Sequence, residues 1–521
     1  MALTREAYKA IEDIVGPENI SEEPAVLDGY AFQAFAELLV GSKFMPRPEA
    51  VVLPGSAEEV QAIVKACNRF KIKFKPFGTG WGVFGGCGSE GVVQMDLRRM
   101  NRILEIDEKN KYAVVEPYVT FGQLHHEAIK RGLRPITLGA GPNISVVAGH
   151  TSMEGGGATS VSAGYSARNI LGVEWVLPTG VVLRLGTQGS GAGWFCADGP
   201  GPSLRGIMRG QFGAMGGLGV FTKCAVKLYS WAGPPEHRSK GNTPFYEPEI
   251  PENFRVYLIS FPSSDKFYEA AYLIGEAEIA YGAGRYQPWF LGAMMSDSNQ
   301  DFWELWQKGV LRELGANSFE LVMAAHSNRE LEYKEKCVRE IIDKTGGMIV
   351  TELQENPRAV VASYLWHLWG GQVIRGFFRT SGGYFGSHYV HEAINAVKYE
   401  LPSAIEEKKP FRNRGVIADE EHAAWSELFE HGAIGIDIDH GGGYDPRDPE
   451  SLKAVGELMS LGHSGQVQRK TYEPHFGDQG NRMTGPANSN YHLWLLKIKK
   501  AFDPNTTADG FMYVIPTPED G

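Results

Sequence analysis

Three short stretches late in the chain gather side chains that can hold substrates and move protons. The first, IRGFFRTSGGYFGSHYVHEAI, contains Arg375, Arg379, Tyr384, His388, Tyr389 and His391. The second, GIDIDHGGGYDP, contains Asp437, Asp439, His440 and Tyr444, and the third, KTYEPHFGDQGNR, contains Tyr472, His475 and Arg482. A histidine near its ordinary pKa can take the proton of a hydroxyl at neutral pH, and a desolvated tyrosinate can do the same. On a strand, Arg375 and Arg379 share one face, where a planar guanidinium fork can clamp a carboxylate or a phenolate. Taken singly, each of these residues also fits an ion pair, a cap or a packed core. His388 and His391 have a spacing that one helical turn brings together, and His440 and His475 could join them around a metal. Histidine pairs are common without a metal, and none is expected here.

Such groups need something to work on, and the glycines indicate what it is. Residues 73 to 86, KFKPFGTGWGVFGG, place Gly80, Gly82 and Gly85 in a G-x-G-x-x-G string directly after a strand-like run. A dinucleotide fingerprint of the Rossmann kind needs a helix to start at that loop. Here the chain continues through GCGSEG into VVQMDL, which reads as another strand, so the Rossmann reading fails. Consecutive main-chain N–H groups in turn conformations still bind anions without a helix. Two more segments repeat the device: Gly139, Gly141, Gly149 and Gly155 to Gly157, then Gly213, Gly216, Gly217 and Gly219. Together these loops imply an extended, phosphate-bearing ligand.

The elements that must position the loops are legible nearby. A strand at Val51 to Leu53, a helix and a strand reaching Phe77 form a βαβ unit; Ser56 and Glu59 have capping-box spacing, and Val60, Ile63, Val64 and Cys67 share one face. Thr120 with Gln123 opens a second helix, which Gly132 closes. Two apolar runs around Pro178-Thr179-Gly180 predict a hairpin. Near the end, Leu493, Leu496, Ile498 and Phe502 predict an amphipathic helix stopped by Pro504.

With 521 residues, the chain is long enough for two or three domains. Its net charge of -11 argues against nucleic acid or an anionic membrane surface as the main partner. No apolar run approaches the roughly 18 residues of a membrane span. The five cysteines are scattered without a C-x-x-C pair, and the start lacks a secretory pattern, so a reducing cytosol is expected.

In order along the chain, PRPEAVVLPGSAEEVQAIVKACN, IKFKPFGTGWGVFGG, VEPYVTFGQLHHEAIKRGL, GAGPNISVVAGHTSMEGGG, ARNILGVEWVLPTGVVLRLG and GQFGAMGGLGVFTKCAVKLY resemble the FAD-binding domain of the vanillyl-alcohol oxidase/p-cresol methylhydroxylase (PCMH-type) flavoproteins. The resemblance covers about residues 46 to 232. It implies an α+β fold: a two-subdomain FAD-binding domain and a cap domain with an antiparallel sheet. The expected division is a helical lead-in at 1–45, the FAD-binding domain at 46–232, the cap at 233–480 and a returning C-terminal strap at 481–521. By this resemblance Pro76, Phe77, Gly78, Thr79, Gly80, Trp81 and Gly82 hold the FAD pyrophosphate. Gly139, Ala140, Gly141, Ile144, Ser145, Gly149, His150, Gly155 and Gly156 line the flavin and ribityl chain, and Gly219 and Val220 hold the adenosine end. Trp81 stands where such proteins usually carry a small polar residue. Neither the histidine nor the cysteine by which some members tether FAD near these loops is in place, so noncovalent FAD is expected; a tether from the cap stays open.

The resemblance further implies a substrate pocket roofed by the cap. An FAD-dependent oxidoreductase is expected, taking hydride from a hydroxyl-bearing or benzylic carbon of a small phenolic or carboxylated substrate. His475, Tyr472, Tyr384, His388 and His440 are the candidate bases, and Arg379 and Arg375 the candidate anchors. The Gly-Asp-Gly-Asn string of the metal-binding 2-hydroxyacid dehydrogenases is absent. Two other readings are a flavin-using transferase of the alkyl-glycerone-phosphate synthase type and a flavoprotein subunit that hands electrons to a partner protein. A homo-oligomer such as a dimer is expected. The Trp-rich SYLWHLWGG, residues 363 to 371, fits either core or interface.

Overall fold

A computed structural model of the chain describes residues 3–32, 41–80, 85–139, 141–152, 155–157, 159–186, 191, 193–194, 203–208, 213–241, 247–285, 288–315, 317–370, 382–392, 394–418, 424–432, 435–470 and 477–520. Helices and three main sheets give the expected α+β class.

The first sheet has the order Ile20–Ser21, Ala50–Val52, Val92–Asp96, Lys73–Phe77. The last three strands are parallel, with Val92–Asp96 inserted between the two strands of the βαβ unit. The Ala57–Phe70 helix joins those two strands and buries Val60, Ile63, Val64 and Cys67 completely. Its cap differs from the expected box in one bond. Ser56 Oγ accepts the Glu59 N–H, but the Glu59 carboxylate takes the N–H of Gly55 instead of that of Ser56. At the Phe121–Ile129 helix the reciprocal Thr120/Gln123 box is complete. Parallel neighbours cannot be joined by a tight turn, so the glycine loop after Phe77 is the crossover to Val92.

The second sheet is antiparallel, in the order Ile103–Asp107, Tyr112–Val115, Val220–Lys227, Ile170–Val176, Val182–Leu185. Its last two strands are the predicted hairpin. The third sheet has seven strands: Met348–Ile349, Phe254–Ser260, Ser318–Ala324, Gly282–Arg285, Ala424–Phe429, Gly435–Tyr444 and Gly383–Glu392. Along its Ser318–Ala324 strand the pleat sends Phe319, Leu321 and Met323 into one core with the 264–277 and 328–345 helices. Val322 faces the opposite way, into an apolar cluster with Tyr364 and Leu368 of the Pro357–Trp369 helix. Tyr364, Leu365, Trp366 and Leu368 are all buried, so these residues of the Trp-rich stretch belong to the core.

The Tyr491–Phe502 helix stops before Pro504 as predicted, although Leu493 lies exposed and only Leu496 of the apolar set is fully inside. Beyond it the chain returns to the first sheet. Phe74 N–H donates to Thr507 O at 2.8 Å and Asp509 N–H to Phe74 O at 2.9 Å. Lys499 Nζ anchors this return, donating to Asp503 Oδ2 at 2.6 Å, Gly217 O at 2.7 Å and Ala508 O at 2.8 Å.

Candidate cofactor and active site

The glycine loops meet at one cleft of about 860 Å³, counted to its open mouth. One wall is the end of the Lys73–Phe77 strand and its loop, with Lys75, Pro76, Gly78, Thr79, Gly80 and Gly85. The opposite wall comes from Ile144 through Ser152, and the far end from Met215, Gly216, Gly219 and Phe221.

Side chains beneath the loop fix its course. Gly80, with φ +69°, packs on the Phe77 ring so closely that a Cβ would lie 2.5 Å from that ring, and Gly85 meets the same ring at 3.0 Å. Tyr30 supports the Phe77 ring edge-on at 5.0 Å and donates its hydroxyl to Asp96 at 2.6 Å. Fully buried Gln94 donates to Lys75 O at 3.1 Å and to Gly85 O at 3.0 Å, bracketing the loop from below. Thr79 Oγ1 accepts the Ser145 N–H at 3.1 Å, which joins the first loop to the second. Ser145 in turn caps the Val146–Thr151 helix through the Ala148 N–H and donates to Pro117 O at 2.5 Å. At the far end Gly219 has φ +106°, and a Cβ there would stand 2.3 Å from Val176 O, so only glycine fits.

Pro76, Gly78, Thr79, Gly80, Ile144, Ser145, Gly149 and Gly219 thus line the cleft. Phe77 turns its ring into the loop's underside. His150 stands behind the wall: its ring stacks on Phe121 at 5.3 Å, Nδ1 bonds Val146 O at 2.7 Å, and burial pushes its pKa down to about 4. It is therefore a neutral ring in the core. Val220 also points into the core. Gly139, Gly155 and Gly156 stack on one another's segment: Gly139 N–H donates to Gly156 O at 3.0 Å, and a Cβ on Gly155 would strike Leu138. Gly141 takes φ +109° in the turn beside them. Trp81, Gly82 and Ala140 lie outside the described residues.

Of the proton-moving candidates, Arg375, Arg379, Tyr472 and His475 also lie outside the described residues. Tyr384, His388 and His440 are described as backbone: their strands pair antiparallel, with His388 opposite His440 and Tyr384 opposite Gly443. Two strands distant in sequence therefore bring both histidine positions to one level of the third sheet. Arg482, of the third polar cluster, is engaged within the protein. Its guanidinium donates to Asp478, to Ile515 O at 2.7 Å and to Asp520 at 2.8 and 2.9 Å, which makes it a staple of the C-terminal return. Tyr444 is buried in a core with Phe385. Among the described residues no cluster of His, Cys, Asp or Glu is arranged to hold a metal, and no helix is long and apolar enough to cross a membrane.

Sequence reasoning missed Lys75 and Phe221 in the lining. It also missed a buried polar cluster under the third sheet. There Ser363 donates to Glu320 at 2.6 Å, and His367 lies 3.7 Å from the same carboxylate. The Glu320 and His367 positions lie on a strand and a helix 47 residues apart in sequence, and no spacing rule connects them.

A glycine-rich cradle with a buried lysine beside it fits a diphosphate-bridged dinucleotide. A family model described as an FAD binding domain matches residues 48–186. The chain is 28% identical over 227 residues to the glycolate oxidase subunit GlcD of Bacillus subtilis (strain 168), covering 43% of this chain and 45% of that protein. It is 36% identical over 170 residues to the 4-cresol dehydrogenase [hydroxylating] flavoprotein subunit of Pseudomonas putida, covering 31% of this chain and 32% of that one. These alignments span less than half the length of either relative. The crystal structure of p-cresol methylhydroxylase with substrate bound superposes over 97% of this chain and 96% of its own, with TM-score 0.76 at 20% identity. The chain therefore carries an FAD-binding domain, and over nearly its whole length it has the fold of the PCMH-type flavoproteins.

Proposed function

We propose that the chain is an FAD-dependent oxidoreductase that takes hydride from a hydroxyl-bearing or benzylic carbon of a small phenolic or carboxylated substrate. The observation that carries this reading is the glycine-walled cleft within the matched FAD binding domain. Bound FAD supplies the hydride acceptor. The four-part division of the chain, with a cap at 233–480, belongs to the proposal, as do noncovalent FAD, a cytosolic location and a homo-oligomer. His475, Tyr472, Tyr384, His388 and His440 are the pool from which the base is drawn, and Arg375 and Arg379 are the substrate clamps. The pairing of His388 with His440 across neighbouring strands supports a base on the third sheet. Names of similar proteins support an oxidoreductase: a glycolate oxidase subunit and a 4-cresol dehydrogenase. The second is a flavoprotein subunit, which favours, as the next reading, electron delivery to a partner protein.

Anaerobic mixing with a panel of phenols, alcohols and 2-hydroxyacids tests this. At least one class is expected to bleach the flavin. A flavin that stays oxidised with every class while the protein turns over an acyl or alkyl phosphate would replace the reading with a transferase.

A further inference from the structure

Among the described residues that line the cleft, Lys75 is the one with a formal charge, and it is 1% exposed. Its ammonium makes a single hydrogen bond among the described residues, to the neutral carbonyl of Met215 at 2.8 Å. No carboxylate among the described residues is within ion-pair distance of it. Asp509 acts on it from further off, and that carboxylate is already engaged by the Gly88 N–H at 2.7 Å and the Phe511 N–H at 3.1 Å. Gly216 leaves the room: with φ +76°, a Cβ there would lie 3.1 Å from Lys75 Nζ. Burial accordingly draws the Lys75 pKa down. An ammonium held this way is costly to bury, and a nearby anion offsets that cost.

We infer that the Lys75 ammonium is the buried counter-charge to the diphosphate of the bound dinucleotide, supplying an ionic contact that main-chain amides alone do not. The inference rests on the FAD reading above and adds a named charge to it. Lys75 lines the same cleft as Gly78 to Gly80 and Met215–Gly216, and its Nζ bonds Met215 O, so a ligand spanning the loop and the turn would lie beside this residue. A diphosphate there gives the ammonium the anion that Asp509 provides only at a distance.

The test compares wild type, Lys75→Met and Lys75→Gln, each stripped of flavin and titrated with FAD, ADP and adenosine. Both variants are expected to bind FAD and ADP about 30-fold more weakly or worse, as when one partner of a buried charge pair is truncated, with adenosine little changed. Stripped Lys75→Met is expected to melt no lower than stripped wild type, because an uncompensated buried charge has gone. Should Lys75→Met not fold, Lys75→Gln, which keeps a donor for Met215 O, decides. FAD affinity equal to wild type in the folded variant would overturn the inference, as would equal losses for adenosine and ADP. A wild type that takes up no FAD would instead remove the FAD reading itself.

Discussion

At the scale of single residues, burial decides more than residue type. Nothing in KFKPF marks Lys75 as a buried residue, yet its ammonium bonds Met215 O and the residue lines the cleft. Arg482 stands in the third polar cluster near His475, yet Asp478 and Asp520 claim it. Neither outcome is encoded locally, because the covering segments lie far away in the chain. Glu320 is the sharpest case. Full burial pushes its carboxyl up to about 8, against the partial relief of the Ser363 hydroxyl, so it is mainly protonated at neutral pH. A raised carboxyl pKa means that the folded state keeps a proton the unfolded chain releases, so this contribution is full below the unfolded value of 4.5 and fades as pH rises toward 8. His367 works in the opposite sense. Its pKa is pushed down to about 4 by burial, so its contribution is lost as pH falls from its ordinary value of 6.5. Glu320→Gln should therefore flatten the stability loss between pH 6.5 and 8, by up to about 1.4 kcal/mol per pH unit, in urea titrations at several pH values. Parallel curves for variant and wild type would contradict the neutral carboxyl.

At the scale of elements, the sequence carried local signals faithfully: the capped 57–70 and 121–129 helices, the hairpin at 170–185, and the strand, glycine loop, strand order that excluded a Rossmann unit. It carried the third sheet poorly. The Gly282–Arg285 strand is half glycine, and Gly435–Tyr444 alternates only over Ile436–Asp439 before three glycines, so their pairing depends on partners supplied from elsewhere in the chain. One junction ties this sheet's helical cover to the second glycine loop. Gly370, closing the Pro357–Trp369 helix with φ 66° and ψ −149°, approaches Leu138 O so closely that a Cβ would lie 1.9 Å away. Beside it Thr137 Oγ1 donates to Leu368 O at 3.1 Å. Gly370→Ala should destabilise the protein by about 2 kcal/mol or more, since that backbone region is reserved for glycine and the contact is main chain. Thermal melting would reveal it, and an unchanged midpoint would mean that the helix end does not seat on the Leu138 segment.

At the scale of the whole molecule, three sheets divide the work. The parallel sheet presents the amide-rich loop, the antiparallel five-stranded sheet closes the cleft with Gly219 and Phe221, and the seven-stranded sheet supplies the strands that carry His388 and His440. The C-terminal return holds the first two together through Lys499, whose donors reach Gly217 on one side and Ala508 on the other. All of this organisation serves one claim, that the cleft grips a flavin dinucleotide by its diphosphate. The most direct check is to release whatever the natively purified protein carries, identify it by mass, and count it against the chain. FAD is expected in equimolar amount, recovered again after stripping and reloading. A colourless protein that ignores added FAD, or one that takes FMN equally well without the adenylate half, would contradict it.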